Sequence, residues 1–178
     1  MENIFCKVYT FLLIFSLISP VIISQNLKKN EDWKSFYFLI GEWIGEGSGT
    51  PGQGTGSFSF DFDLQKKIIL RKSITNFPST KENPAFSHED LTVIYKHSDG
   101  SVHAIYFDNE GHIINYSLNF SDDYSAIIFL SDVSQGNPRY RLTYSKINNQ
   151  KLGIKFEIAS ASNPEAFSTY YSGIVHRK

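Results

Sequence analysis

Five histidines (His88, His97, His103, His112 and His176) are the side chains best suited to acid–base work or metal ligation in this 178-residue chain. No two of them stand at His-x-His or His-x-x-x-His spacing, so no chelating pair on one strand or helix face is predicted, and no metal site. Asp108, Glu110 and His112 lie in and just after one short polar stretch, Asp108-Asn109-Glu110-Gly111, whose chemistry is that of a turn with solvated carboxylates. A serine nucleophile would need a Gly-x-Ser-x-Gly elbow running into a helix. Gly54-Thr55-Gly56-Ser57 has neither the order nor the helix. The glycine-rich run from Gly47 to Gly56 likewise lacks the lysine and the following helix of a phosphate cradle, and it reads as a connection at the end of a strand. Asn115-Tyr116-Ser117 and Asn119-Phe120-Ser121 match glycosylation acceptors, which matter only in a eukaryotic secretory route. With no nucleophile–base pair and no ligand set, the residues predict binding rather than catalysis and no cofactor. The groups that could orient a ligand are tyrosines, Tyr95, Tyr106, Tyr140, Tyr144 and Tyr171, together with His103. Arg71 and Arg141 join them as carboxylate anchors if the strand register turns either one inward.

These side chains need a scaffold, and the composition limits what it can be. Hydrophobic residues make up 41%, and 15 Phe with 10 Tyr are too many to leave solvated, so the chain folds. Lys+Arg (17) and Asp+Glu (18) balance, without a basic cluster, which excludes a nucleic-acid footprint. A lysine-bearing start, an apolar run from Val8 to Ile23 and a small residue at Ser24 predict a signal peptide over residues 1–24. The run is shorter than the about 20 residues of a spanning helix. The expectation is a secreted or periplasmic domain over residues 25–178, a monomer or homodimer without stable membrane insertion. Cys6, the only cysteine, precedes the apolar run, so the domain has no disulfide and no lipid-modified cysteine.

Within the domain, Trp33, Phe36, Tyr37 and Ile40 follow helical spacing, which predicts one short helix over Glu31–Ile40. Beyond Gly41 the period is two. Ser57-Phe58-Ser59-Phe60-Asp61-Phe62-Asp63 puts three Phe on one face, and the stretches 139–145 and 151–158 do the same. Turn residues separate ten predicted strands near 42–48, 56–63, 66–76, 88–96, 101–107, 112–119, 124–131, 139–146, 151–160 and 166–175. Hairpins through Ser98–Gly100 and Asp108–Gly111 would set His103 opposite Tyr95 and Tyr116, and His112 opposite Phe107. A long antiparallel meander with one apolar face and a single helix hides that face best by closing into a barrel. The fold class is therefore all-β.

The helix runs into Gly41-Glu42-Trp43-Ile44-Gly45-Glu46-Gly47. Gly-x-Trp at the first strand resembles the calycin barrels, that is lipocalins, fatty-acid-binding proteins and their relatives. The longer Gly-x-Trp-x-Gly-x-Gly resembles nitrobindin and related ten-stranded barrels. The resemblance implies that Trp43 closes one end of the barrel and stacks on a basic residue of the last strand, here Arg177 or His176. Nitrobindins hold haem through a last-strand histidine. The matching stretch here, Ala166-Phe167-Ser168-Thr169-Tyr170-Tyr171-Ser172, has Thr169 or Tyr170 at that place, so haem is not expected. The whole predicts a binding protein for a small hydrophobic or amphiphilic molecule. An isomerase- or hydrolase-like enzyme using interior Tyr and His is the alternative, or a structural envelope protein with a packed barrel.

Overall fold

The computed structural model describes residues 33–45 and 54–178. The segment expected to be a signal peptide and most of the glycine-rich run lie outside the described residues. After a short 3-10 helix, Trp33–Phe36, come ten strands: β1 Gly41–Gly45, β2 Thr55–Asp63, β3 Ile68–Phe77, β4 Phe86–Lys96 and β5 Val102–Asp108. They continue as β6 Ile113–Phe120, β7 Ala126–Ser131, β8 Arg139–Lys146, β9 Lys151–Ala159 and β10 Ser168–Arg177. Each strand pairs antiparallel with its neighbours in sequence, and β1 pairs with β10, so the sheet closes as a ten-stranded barrel without edges.

The predicted helix is shorter than expected. Tyr37 N–H donates to the Lys34 carbonyl (3.2 Å) and Leu39 N–H to the Phe36 carbonyl (2.8 Å), i-to-i−3 bonds of the tighter helix. The chain must then swing into β1 at Gly41, which leaves no room for further turns. The apolar spacing instead builds a plug: Trp33, Phe36 and Leu39 are buried at the lower end of the barrel, and Phe36 meets Phe120 edge-on at 5.4 Å.

Three devices tie this end. The Trp43 indole N–H donates to the Leu39 carbonyl (2.7 Å). The Arg177 guanidinium lies over the Trp43 ring at 4.3 Å and donates to the carbonyls of Ile40 (2.6 Å), Phe38 (3.2 Å) and Asn149 (3.1 Å). Of the two basic residues expected at this place, Arg177 makes the stack. Gly41, at φ +121, has to be glycine twice over, because a Cβ there would sit 2.5 Å from an Arg177 nitrogen. The third device is the β2–β3 turn. Leu64, Gln65 and Lys66 all adopt left-handed backbone (φ 46, 56 and 64), and the Trp33 indole N–H holds the Lys66 carbonyl at 2.9 Å.

The interior row can be followed around the barrel by register. Phe60 pairs with Arg71, Arg71 with Thr92, Thr92 with Tyr106 and Tyr106 with Ile114, and all share the inner side with fully buried Phe60. In the lower half this side is packed solid. Tyr144, itself fully buried, meets Phe58 (5.8 Å) and Phe60 (5.3 Å) from β2 and Phe129 (5.9 Å) from β7, so rings touch across the barrel. The expected interior space is therefore absent at this level.

Candidate functional site

Above Tyr144 the interior opens. Tyr140, Leu142, Ile154 and Phe156 lie on the inner side, as their pairing with buried Phe129 and Tyr144 requires, yet all are only half-buried. Ser73, Thr75 and His88 on the opposite side are half-buried as well. Inward residues on both sides thus keep partial access to solvent, and we read the upper half as a cup open at the mouth, with buried Tyr144 in its floor. The Tyr171 ring folds down this inner wall over Gly173, where a Cβ would lie 2.3 Å from the phenol oxygen, and stays 50% exposed. Tyr170 sits at the bulge between Thr169 and Tyr171, 76% exposed, with its ring edge on Phe156 at 6.0 Å.

The two walls of the cup differ. On β8–β10 the lining is apolar and aromatic, with Tyr140 and Phe156 stacked at 5.9 Å. The β3–β5 wall is polar. Arg71 and Asp90 form an ion pair, with side chains 12% and 6% exposed, and Arg71 also lies 5.1 Å from the Phe58 ring centroid. Burial alone would lower the Arg71 pKa, but Tyr144 and the Asp90 charge outweigh it and the net shift is upward. Burial also raises the pKa of Tyr144, which therefore stays a phenol. The Arg71 Nε–H and the Tyr144 hydroxyl are both sealed from water, and neither forms a well-aligned hydrogen bond.

Toward the rim runs a chain of polar contacts. The Tyr106 O–H donates to Asp108 (3.1 Å), and its oxygen also lies 3.0 Å from His88 Nε2. His88 Nδ1 in turn lies 2.8 Å from Glu110. Burial, helped by the charges of Asp90 and Asp108, drives the Tyr106 pKa far above its ordinary value, so it holds its proton as a donor. Burial of Asp108 is outweighed by donors from the His112 and Glu110 backbone, the His112 ring and Tyr106, and its pKa falls. The Asp108 stretch forms a turn as expected, but its carboxylate is not solvated: the side chain is 3% exposed and fixes Tyr106, which nothing in the local pattern announced.

Of the residues predicted to line the interior, the structure places Arg71, Tyr106, Tyr144 and Tyr171 on the inner face. Tyr95, His103 and Arg141 are on the outer face and do not line it. Tyr95 pairs with Ile68 and His103, and the His103 ring packs beside His97 at 4.6 Å. His103 faces Ser117, not Tyr116, and Phe107 faces Ile113, not His112. The turn takes in His112, whose carbonyl accepts from the Asp108 N–H, and this one-residue difference reverses faces. Arg141 donates to Glu157 (2.6 Å) outside the barrel and lies 4.2 Å from the Phe167 ring centroid. Asp90, His88 and Asp108 were missed as site residues. Their signal was available only through pairing with β3, since Asp90 and Asp108 stand opposite each other in the row of Ser73.

Two open clefts lie elsewhere. One of about 460 Å³ flanks the stacked Phe77 and Phe86 of the β3–β4 hairpin. The other, about 870 Å³, lies at the plugged end beside Tyr37, Tyr124 and Arg177, where the guanidinium is already committed to backbone carbonyls. Among the described residues no helix is long and apolar enough to cross a membrane. The chain matches no known family profile and no curated protein.

Proposed function

We propose that this protein binds a small, mainly apolar molecule in the open upper half of the barrel, as a calycin-like carrier or receptor exported by its N-terminal leader. The observation that carries this is the partial exposure of inward-facing Leu142, Ile154 and Phe156. Apolar surface left wet inside a barrel gains free energy when a ligand covers it, about 25 cal/mol per Å². The plugged lower half serves as a rigid base, and the tyrosines of the wall orient what enters. An environment-sensitive dye should bind the native protein saturably. Tyr171→Ala should weaken that binding while leaving the unfolding midpoint nearly unchanged, because the ring is half-exposed. If no dye binds, or if the variant binds as the parent does, the cup is not the site. Sequencing the N-terminus of exported protein tests the leader: a chain still starting at Met1 refutes cleavage.

The Glu110–His88–Tyr106–Asp108 chain favours a second reading, an acid–base enzyme. His88→Gln separates the two, since a carrier keeps most of its affinity and an enzyme loses turnover of its substrate.

A further inference from the structure

Building on that binding reading, we infer that the cup selects an apolar molecule carrying an uncharged oxygen acceptor, a hydroxyl or carbonyl, and rejects the carboxylate of the same chain. An inward arginine in an apolar barrel invites the opposite conclusion, that it anchors an acid. Its surroundings argue against that. Arg71 is already neutralised by Asp90, and a second carboxylate, Asp108, faces Asp90 in the next strand. Glu110 adds a third at the rim, against His88. The polar wall therefore holds more carboxylates than guanidinium, and an anionic head would enter a poorly solvated space against like charge. A cationic head finds the carboxylates already engaged: Asp90 by Arg71, Asp108 by four donors and Glu110 by His88. In the floor the Arg71 guanidinium and the Tyr144 hydroxyl have each other, and neither the Arg71 Nε–H nor the hydroxyl forms a well-aligned hydrogen bond. A neutral acceptor satisfies the arginine N–H, and a hydroxyl can also donate to the phenol, without adding charge. Both atoms are sealed from water in the empty barrel, so the entering oxygen has to displace the Arg71 side chain to reach them.

The test compares decanol, decanoate and decylammonium as competitors for a dye bound to the full chain at neutral pH. Decanol should displace it at a concentration at least about tenfold below either ion, the discrimination expected when one uncompensated charge enters a site of low effective dielectric. Decanoate competing as well as decanol would overturn the inference while leaving the binding reading intact, and so would decylammonium competing best. If none of the three displaces the dye, both fail. Asp90→Asn supplies the second arm, because it releases the Arg71 charge at nearly constant shape. In the folded variant the ratio of decanoate to decanol affinity should rise at least about tenfold. An unchanged ratio would also overturn the inference. Should the variant fail to fold, the three-competitor series on the parent protein decides alone.

Discussion

Replacing Arg177 by Ala tests how the barrel is locked. The guanidinium contributes a cation–π contact with Trp43 at 4.3 Å, worth about 0.5–2 kcal/mol. It also donates to three carbonyls on two segments, those of Phe38, Ile40 and Asn149. Hydrogen bonds from a charged donor contribute about 1.5–3 kcal/mol each, but these share one side chain, and water can reach part of the site once the side chain is gone. A net loss of about 3 kcal/mol follows, or about 6–12 °C in Tm for a chain of this size. Arg177→Lys keeps the charge but not the fork, and should recover no more than about 1 kcal/mol. Urea unfolding followed by tryptophan fluorescence reads this well, because Trp43 is one of two tryptophans. The midpoint should fall with an unchanged slope. If Arg177→Ala stays within about 0.5 kcal/mol of the parent, or if Lys restores it fully, the clamp is not what joins the helix, β1 and β10.

Further outcomes can be measured on the same footing. Arg141 donates to Glu157 and Lys155 pairs with it, which holds the Glu157 pKa at about 2, below the ordinary value of 4.5. A depressed folded pKa stabilises above pH 4.5 and loses that contribution as pH falls toward 2. Urea titrations should thus show the parent losing about 2 kcal/mol more than Glu157→Gln across this window, and parallel pH curves would refute the assignment. Gln65→Gly, at φ 56, should raise Tm by about 2–4 °C, since glycine accepts left-handed backbone without strain; an unchanged or lower Tm would show that Trp33 already compensates it. Asp90→Leu should cost about 3–5 kcal/mol because it strands buried Arg71, whereas Arg71→Met with Asp90→Leu should recover most of the loss; equal losses in denaturant titrations would mean that the pair is solvated.

The strands were legible because alternation is local. Phe58, Phe60 and Phe62 against Ser57, Ser59 and Asp61 define a half-buried strand by themselves, and all ten strands lie near their predicted places. Closure was legible too, from the lack of any second layer. The helix was overread because Trp33, Phe36 and Ile40 have spacing that a plug satisfies as well. The site was legible only in part. Whether Arg71 or Arg141 points inward depends on which face of a whole strand is buried, and Leu70 and Leu142 give no answer: Leu142 is inside and Leu70 outside. A one-residue difference in the Asp108 turn was enough to misplace His103 and Tyr116. Asp90 carries no local sign of its role, since its partner lies 19 residues away and meets it only after β3 and β4 have paired.

The seam between β1 and β10 has a kinetic meaning. Every other strand pair joins strands that are neighbours in sequence, whereas Arg177 reaches Ile40 across 137 positions. Loop-closure entropy and contact order place that pairing late, after the rest of the meander has collapsed into a curved open sheet. Until then β1 and β10 are exposed edges able to recruit other chains. The same proximity of distant segments, with the Lys178 N–H donating to the Glu42 carbonyl at 2.9 Å, makes the barrel a good subject for circular permutation. Joining residue 178 to 33 through a short linker and cutting at the exposed 148–150 turn would turn the slow seam into a local hairpin. Strands β8 and β9 then become the long-range pair, so the slow step should move with the cut: weakening the β8–β9 pairing, and no longer the β1–β10 pairing, should slow closure.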